Sequence, residues 1–131
     1  MENSIKIPSD MSNIFRAENL IEKLAEKLNL GDELIGNISV AVVEAVSNAI
    51  QHGNRNDVTK ITQLEYLVKG QELIFIVSDE GSGFIIEDVP DPTLPENLEN
   101  LKGRGLFLIN HLADKVEFER NGSRIKIFFN I

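Results

Sequence analysis

The last part of the chain constrains the fold most, because it joins a turn signal to strict alternation. Over residues 124–131 every second residue is Ile or Phe, which is the period of a strand with one buried face. Asn121-Gly122 comes just before it and is a strong hairpin signal, with 116–119 as the partner strand. Antiparallel strands of this kind bury one face against helices. The chain is therefore predicted to be α+β.

The rest of the sequence supplies further strands and helices. Strands are predicted over 4–8, 60–68 and 73–78. A first helix follows the cap Ser9 or Asp10 and stops near Gly31. A second, capped by Asp32, runs to about Gln51, and a third covers 106–113. We expect one domain over 1–131, a two-layer α/β sandwich with a mostly antiparallel sheet and helices on one face.

Composition limits the classes of protein. The chain has 131 residues, 42% of them hydrophobic, no cysteine and a formal net charge of −8. The lack of cysteine excludes a disulfide framework and a thiolate metal site. No cluster of basic residues of the kind that binds nucleic acid is visible. The polar N-terminus is unlike a signal peptide, and no apolar run approaches the roughly 18 residues of a membrane span. We expect a cytoplasmic protein with no direct contact to nucleic acid or membrane, whose acidic surface fits either a protein partner or simple solubility.

The second helix carries a polar stripe without a cation. At about 100° per residue, one side collects carboxylates and amides: Glu33, Asn37, Glu44, Asn48 and Gln51. No Lys or Arg occurs between Leu28 and Asn54, although a solvated helix face usually mixes both signs. An ordinary solvated face is one interpretation. The other is a pocket wall, with the amide of Asn48 as a ligand for Mg²⁺ and Glu44 as a base.

Two glycine-containing motifs follow. Asp79 ends an apolar run and is followed by Gly81 and Gly83, so a buried carboxylate would need a donor such as an adenine amino group. The glycines would allow positive φ and close approach to a flat ring. An acidic turn after a strand is the alternative. The triplet 103–105 precedes an apolar helix, which suggests an anion site at a helix N-terminus or merely a flexible loop.

The proline-dense segment 89–96 separates these two motifs. It is typical of a mobile lid over a ligand, and equally of an ordinary long connection. No Walker sequence and no G-x-G-x-x-G fingerprint is present.

Taken together, the motifs resemble the Bergerat nucleotide fold of gyrase, heat-shock chaperone, histidine-kinase and mismatch-repair ATPases. The set comprises Glu44/Asn48/His52, 79–84, 103–106 and Gly122-Ser123. Size and the stretch 91–109 make the chain similar to the anti-sigma regulatory factor serine/threonine kinases of bacteria. It ends at Ile131, one strand after the hairpin, which is not expected of a complete sensor histidine kinase or a topoisomerase.

The resemblance implies cofactors and roles for individual residues. ATP and Mg²⁺ are the implied cofactors, with Glu44 as the catalytic base and Asn48 as the metal ligand. The nucleotide would be bound by Asn48, Asp79, Gly81, Gly83, Gly103, Arg104, Gly105 and Ser123. In this set Asp79 contacts the adenine amino group, and Ser123 stands where the superfamily usually has Thr. For His52 a structural role at the helix end is favoured. Arg16 lies in the region where such proteins bind partners, but a solvent-exposed side chain without that role is favoured for it.

The resemblance also implies a reaction and partners. The chain would phosphorylate a Ser or Thr of an anti-anti-sigma factor and, in its other state, sequester a sigma factor. A homodimer is a further expectation. Two rival functions remain at this point: a nucleotide-dependent binding module without transfer, and a detached ATPase domain of a larger complex.

Overall fold

A computed structural model of the chain describes residues 3–81 and 101–131. Five strands form a single antiparallel sheet in the order β1-β2-β3-β5-β4. The strands are β1 (Ser4–Pro8), β2 (Ile61–Lys69), β3 (Glu72–Ser78), β4 (Lys115–Glu119) and β5 (Arg124–Asn130). Each neighbouring pair is antiparallel, which confirms the predicted α+β class and the predicted strands to within a residue or two.

In the described residues three α-helices accompany the sheet: α1 (Phe15–Leu28), α2 (Asp32–Asn48) and α3 (Leu101–Leu112). A 3-10 turn, Met11–Asn13, leads into α1, and the Asp10 carboxylate caps it by accepting the Ser12 backbone N–H. That bond lowers the pKa of Asp10 below its usual value. The helix α1 ends at Asn29 in the left-handed conformation, which Asn tolerates better than most residues. The cap of α2 is Gly31, and Asp32 is its first residue, so the predicted cap is off by one position.

The main core lies between the helices and the sheet. Apolar residues of α1 and α2 pack there with the inward face of β3 and β5, where Phe75 and Phe129 meet edge to face at 6.1 Å between ring centroids. The outward face of the sheet is not wholly polar. Ile74, Ile76 and Phe128 form a second, smaller buried cluster there, so β3 is apolar on both faces. This explains why its sequence is a continuous apolar run rather than an alternating one.

Helix α2 continues into a π-helical turn, Ala49–Gly53. Its end is closed by Arg55 and Asn56, both at positive φ, with the Asn56 N–H donating to the Ile50 carbonyl. By length and composition, Asp32–Gly53 is the described segment that would be long and apolar enough to cross a membrane, with a mean hydropathy of 1.3. The core helix of a globular domain passes the same test, and the apolar side of α2 is packed in the main core.

The third helix differs from its prediction in where it begins. It starts at Leu101 instead of Leu106, so the triplet Gly103, Arg104 and Gly105 lies within its first turns. The prediction that these residues precede the helix N-terminus is therefore wrong. Sequence reasoning placed the start too late because glycine disfavours helix by about 1 kcal/mol per residue relative to alanine. Packing against α2 can outweigh such a preference, because tertiary contacts supply most helical stability in proteins. The predicted lid, 89–96, lies outside the described residues.

Candidate functional site

A cavity of about 310 Å³ opens between the C-terminal part of α2, α3 and the ends of β3 and β5. This volume is within the range of small-molecule sites. One part of its wall is apolar, formed by Ala45, Ala49, Val77, Leu106, Ile109 and Ile125. The other part carries polar groups from three different sections of the chain, among them Asn48, Asp79 and Ser123. An apolar slot with a few convergent polar groups suits a flat heterocycle.

The Asp79 carboxylate sits in a tight turn at the end of β3. Its Oδ1 accepts the Gly81 N–H at 2.8 Å, and the Asp79 backbone N–H donates to the Ser123 carbonyl at 2.9 Å. A Cβ added at Gly81 would stand 2.3 Å from the Gly53 carbonyl oxygen, and one at Gly53 would stand 2.3 Å from the Asp79 carboxyl carbon. The two glycines are thus needed for close approach. Gly81 is not among the described residues with positive φ, so its glycine is needed for the close approach and not for the backbone conformation.

Glu44 and Asn48 lie one turn apart on α2 and meet α3 at Gly105. A Cβ on Gly105 would stand 2.8 Å from Glu44 Oε2 and 3.0 Å from Asn48 Nδ2. Both side chains are half-buried, and among the described residues the buried Asn48 Nδ2 has no hydrogen-bond partner. Buried amide groups are normally bonded, so this one is incomplete without a further group. The polar stripe of α2 is therefore a wall of the site at its C-terminal end.

The structure brings the three predicted motifs together. Asn48, Asp79, Gly81 and Ser123 line the cavity, and Gly105 joins them through its contact with Glu44 and Asn48. Glu44 itself is not among the described residues that line the cavity. The Ser123 hydroxyl donates to the Arg120 carbonyl at 2.9 Å, which fixes it at the start of β5. Gly83 and the side chain of Arg104 lie outside the described part of the chain, and Gly103 is described only as a residue of α3.

Sequence reasoning gave no role to several residues near this site, although Gly53 and Asn54 belong to the first motif. Gly53 and Asn54, which follow His52, form part of the floor under Asp79, and Arg55 and Lys60 add two cations to the cavity wall. A glycine directly after a long helix was the available signal for Gly53. The signal for the cations was weaker, because they lie just beyond the cation-free stretch of α2 and nothing in their spacing marks them.

The fold and the site together define a small two-layer α+β domain with a ligand-sized cavity. The family model described as the histidine kinase-like ATPase domain matches residues 7–129. In structure, the chain is similar to the histidine kinase domain of a blue-light activated histidine kinase from Erythrobacter litoralis EL346, with a TM-score of 0.56 and 22% identity. The comparison covers 95% of this chain and 61% of that one. At this identity the likeness concerns the fold alone.

Two groups of relatives narrow the class. The serine-protein kinase RsbW of Oceanobacillus iheyensis is 27% identical over 119 residues, covering 86% of this chain and 75% of the relative. The anti-sigma F factor of Thermoanaerobacter sp. (strain X514) is 32% identical over 105 residues, covering 79% and 73%. The chain belongs to the histidine kinase-like ATPase domain family and, within it, to the ATP-binding anti-sigma regulatory kinases.

Proposed function

We propose that this protein transfers the γ-phosphoryl group of ATP to a serine or threonine of an anti-anti-sigma partner, and that it sequesters a sigma factor in the cytoplasm in its other state. The observation that carries the proposal is the meeting of Glu44, Asn48 and Gly105 beside a cavity that also contains Asp79. Such a transfer needs a general base, an oxygen ligand for Mg²⁺ and a carboxylate that recognises the adenine.

The adenine ring would occupy the apolar slot. There the Asp79 carboxylate, which already accepts the Gly81 N–H, has further lone pairs to accept the adenine amino group. The Ser123 hydroxyl, itself donating to Arg120, can still accept a bond from the ligand or from a water. The cations Arg55 and Lys60 on the cavity wall would favour an anionic ligand in a chain whose net charge is −8.

The phosphate end of the site would lie against α2. The amide oxygen of Asn48 and the nearby Glu44 carboxylate are oxygen ligands that Mg²⁺ accepts. The Asn48 Nδ2 group, which has no partner among the described residues, is a donor and would suit a phosphate oxygen. Mg²⁺, when bound, would neutralise negative charge on the phosphates. Glu44 would take the proton of the attacking Ser or Thr hydroxyl. The oxygen of that hydroxyl would bond to the γ-phosphorus while the bond from the γ-phosphorus to the β-γ bridging oxygen breaks, which releases ADP. Gly103, Arg104 and Gly105 remain our candidates for contacts to the phosphates.

The test is a transfer assay. The purified protein is incubated with ATP labelled in the γ-phosphate, Mg²⁺ and a small anti-anti-sigma protein from the same genome. We expect label on a serine or threonine of the partner, and none when the partner is omitted. Normal ATP binding without label on the partner would contradict the kinase proposal and would favour a nucleotide-dependent binding module.

A methyl group at position 53 should disturb the floor of the site. In Gly53→Ala the new Cβ would overlap the Asp79 carboxylate, from which it would stand 2.3 Å at two atoms. Asp79 would have to rotate away, so we expect ATP affinity to fall about tenfold or more, the value of one hydrogen bond to a charged group. The matched control is Gly36→Ala, where nothing lies within 4 Å of the added Cβ. Isothermal titration calorimetry measures the ATP affinity of both variants, and the affinity of Gly36→Ala should be unchanged. Equal affinities of the two variants would show that the close contact is unimportant.

A further inference from the structure

Asn54 is a buried polar residue to which the reaction proposed above gives no role. Its side chain is only 1% exposed and uses both ends of its amide. The Nδ2 group donates to the Ser9 hydroxyl at 2.8 Å and to the Ile61 carbonyl at 3.1 Å, with Thr62 Oγ1 at 3.3 Å. The Oδ1 atom accepts the Glu80 backbone N–H at 2.8 Å. Asn54 therefore joins the ends of β1 and β2 to the residue that follows Asp79.

The turn that carries Asp79 is anchored on opposite sides. On one side the Asp79 N–H continues the ladder between β3 and β5 by donating to the Ser123 carbonyl. On the other side the Glu80 N–H is held by Asn54. Between them Gly53 packs directly under the carboxylate. The Gly81 N–H bonds to the carboxylate directly, and the Ile61 N–H donates to the Glu80 carboxylate. The bond from Asn54 to the Glu80 N–H thus helps to set the direction in which the Asp79 carboxylate points.

We propose that Asn54 is a positioning residue that orients the Asp79 carboxylate toward the nucleotide base; this rests on the proposed role of Asp79 at the adenine amino group. Without the Asn54 oxygen, the Glu80 N–H would lose its partner, and a group left unsatisfied in this way costs free energy. The turn would relax to recover a bond, and the carboxylate would move with it. To recognise the adenine amino group, the Asp79 carboxylate must be placed to within about 0.5 Å of its bonding position.

The two ends of the Asn54 amide allow a sharp separation of roles. The Nδ2 end faces the strands, where Ser9 and Thr62 also bond to each other and Ser9 bonds to the Lys60 carbonyl. The Oδ1 end faces the turn. A purely structural residue would act through the first end, and a positioning residue acts through the second. Thr62→Val removes a partner at the first end alone, so it is a matched control.

The experiment compares the affinity for ATP with that for purine riboside triphosphate, which lacks the 6-amino group. The wild-type protein should prefer ATP by about tenfold, the value of one hydrogen bond. In Asn54→Ala that preference should fall to nearly one. In Thr62→Val the melting temperature should fall while the tenfold preference is kept. Asn54→Ser, which keeps a hydroxyl in the cluster but is too short to reach Glu80, should lose the preference like Asn54→Ala and serves if the alanine variant does not fold.

The outcomes separate this inference from the function on which it rests. A wild-type protein that binds both nucleotides equally would refute the adenine role of Asp79. If the Asn54 variant keeps the wild-type preference for ATP, the positioning role is refuted and the adenine assignment is left intact. This holds whether the variant lowers both nucleotide affinities equally or lowers only the melting temperature. Loss of the preference in Thr62→Val as well would refute it too, because the strand side of the cluster would then control the site.

Discussion

Replacing Glu44 by glutamine should reduce phosphoryl transfer to the partner by about 10²–10⁴-fold, the usual contribution of a general base. The amide keeps the size of the side chain, so the contact with Gly105 on α3 is retained. ATP affinity should be preserved, because Glu44 is not one of the residues that line the described cavity. Single-turnover transfer with labelled ATP, together with calorimetric ATP titration, measures the two quantities separately.

The control for this variant is Glu33→Gln. Glu33 lies on the same polar stripe of α2 but is exposed in the first turn, so transfer should remain at the wild-type rate. Glu44→Ala should lose transfer as Glu44→Gln does. If ATP binding disappears together with transfer in Glu44→Gln, then Glu44 supports the architecture of the site and does not act as the base.

Replacing Asp79 by asparagine should weaken ATP binding by about 10- to 100-fold, equivalent to about 1.5–3 kcal/mol for a hydrogen bond to a charged group. Asparagine keeps one oxygen, which can still accept the Gly81 N–H. The other position becomes an NH₂ group, which would face the adenine amino group as donor to donor. The fold should be retained, and isothermal titration with ATP gives the affinity.

Asp32→Asn serves as the control for the change of charge. Asp32 is an exposed carboxylate in the first turn of α2, at the opposite end of the helix from Asn48. Its replacement also raises the net charge by one unit, but ATP affinity should be unchanged. Equal affinity of wild type and Asp79→Asn would show that the base is recognised elsewhere in the cavity.

Periodicity and turn chemistry were enough to predict the sheet. The alternation in β5 and the Asn121-Gly122 turn identified a hairpin. The helical spacing of residues in α2 separated its core side from the polar stripe with Glu44 and Asn48. These features are local, and each residue's role follows from neighbours within a few positions. That the three motifs belong to one nucleotide site stays a prediction, although Asn48, Asp79 and Leu106, one residue from each motif, line the same cavity.

Contacts between distant parts of the chain could not be predicted. The helix α3 includes two glycines of low helix propensity, and one of them, Gly105, lies against Glu44 and Asn48 of α2, far away in sequence. The anchor from Asn54 to Glu80 joins residues that are 26 positions apart, and no short-range pattern indicates it. The need for glycine at position 53 likewise arises from Asp79 on another element.

The pairing of β3 with β5 has a consequence for folding. Its register sets Ser78 opposite Arg124, so one long-range pairing closes the whole stretch between Asp79 and Ser123 as a loop. Closing such a loop costs conformational entropy that only the assembled core can offset. We therefore expect the ligand site to form only together with the centre of the sheet, and a nucleotide to have no affinity for partly folded chains. Nucleotide at 100 times its dissociation constant should then raise the free energy of unfolding by about 2.7 kcal/mol.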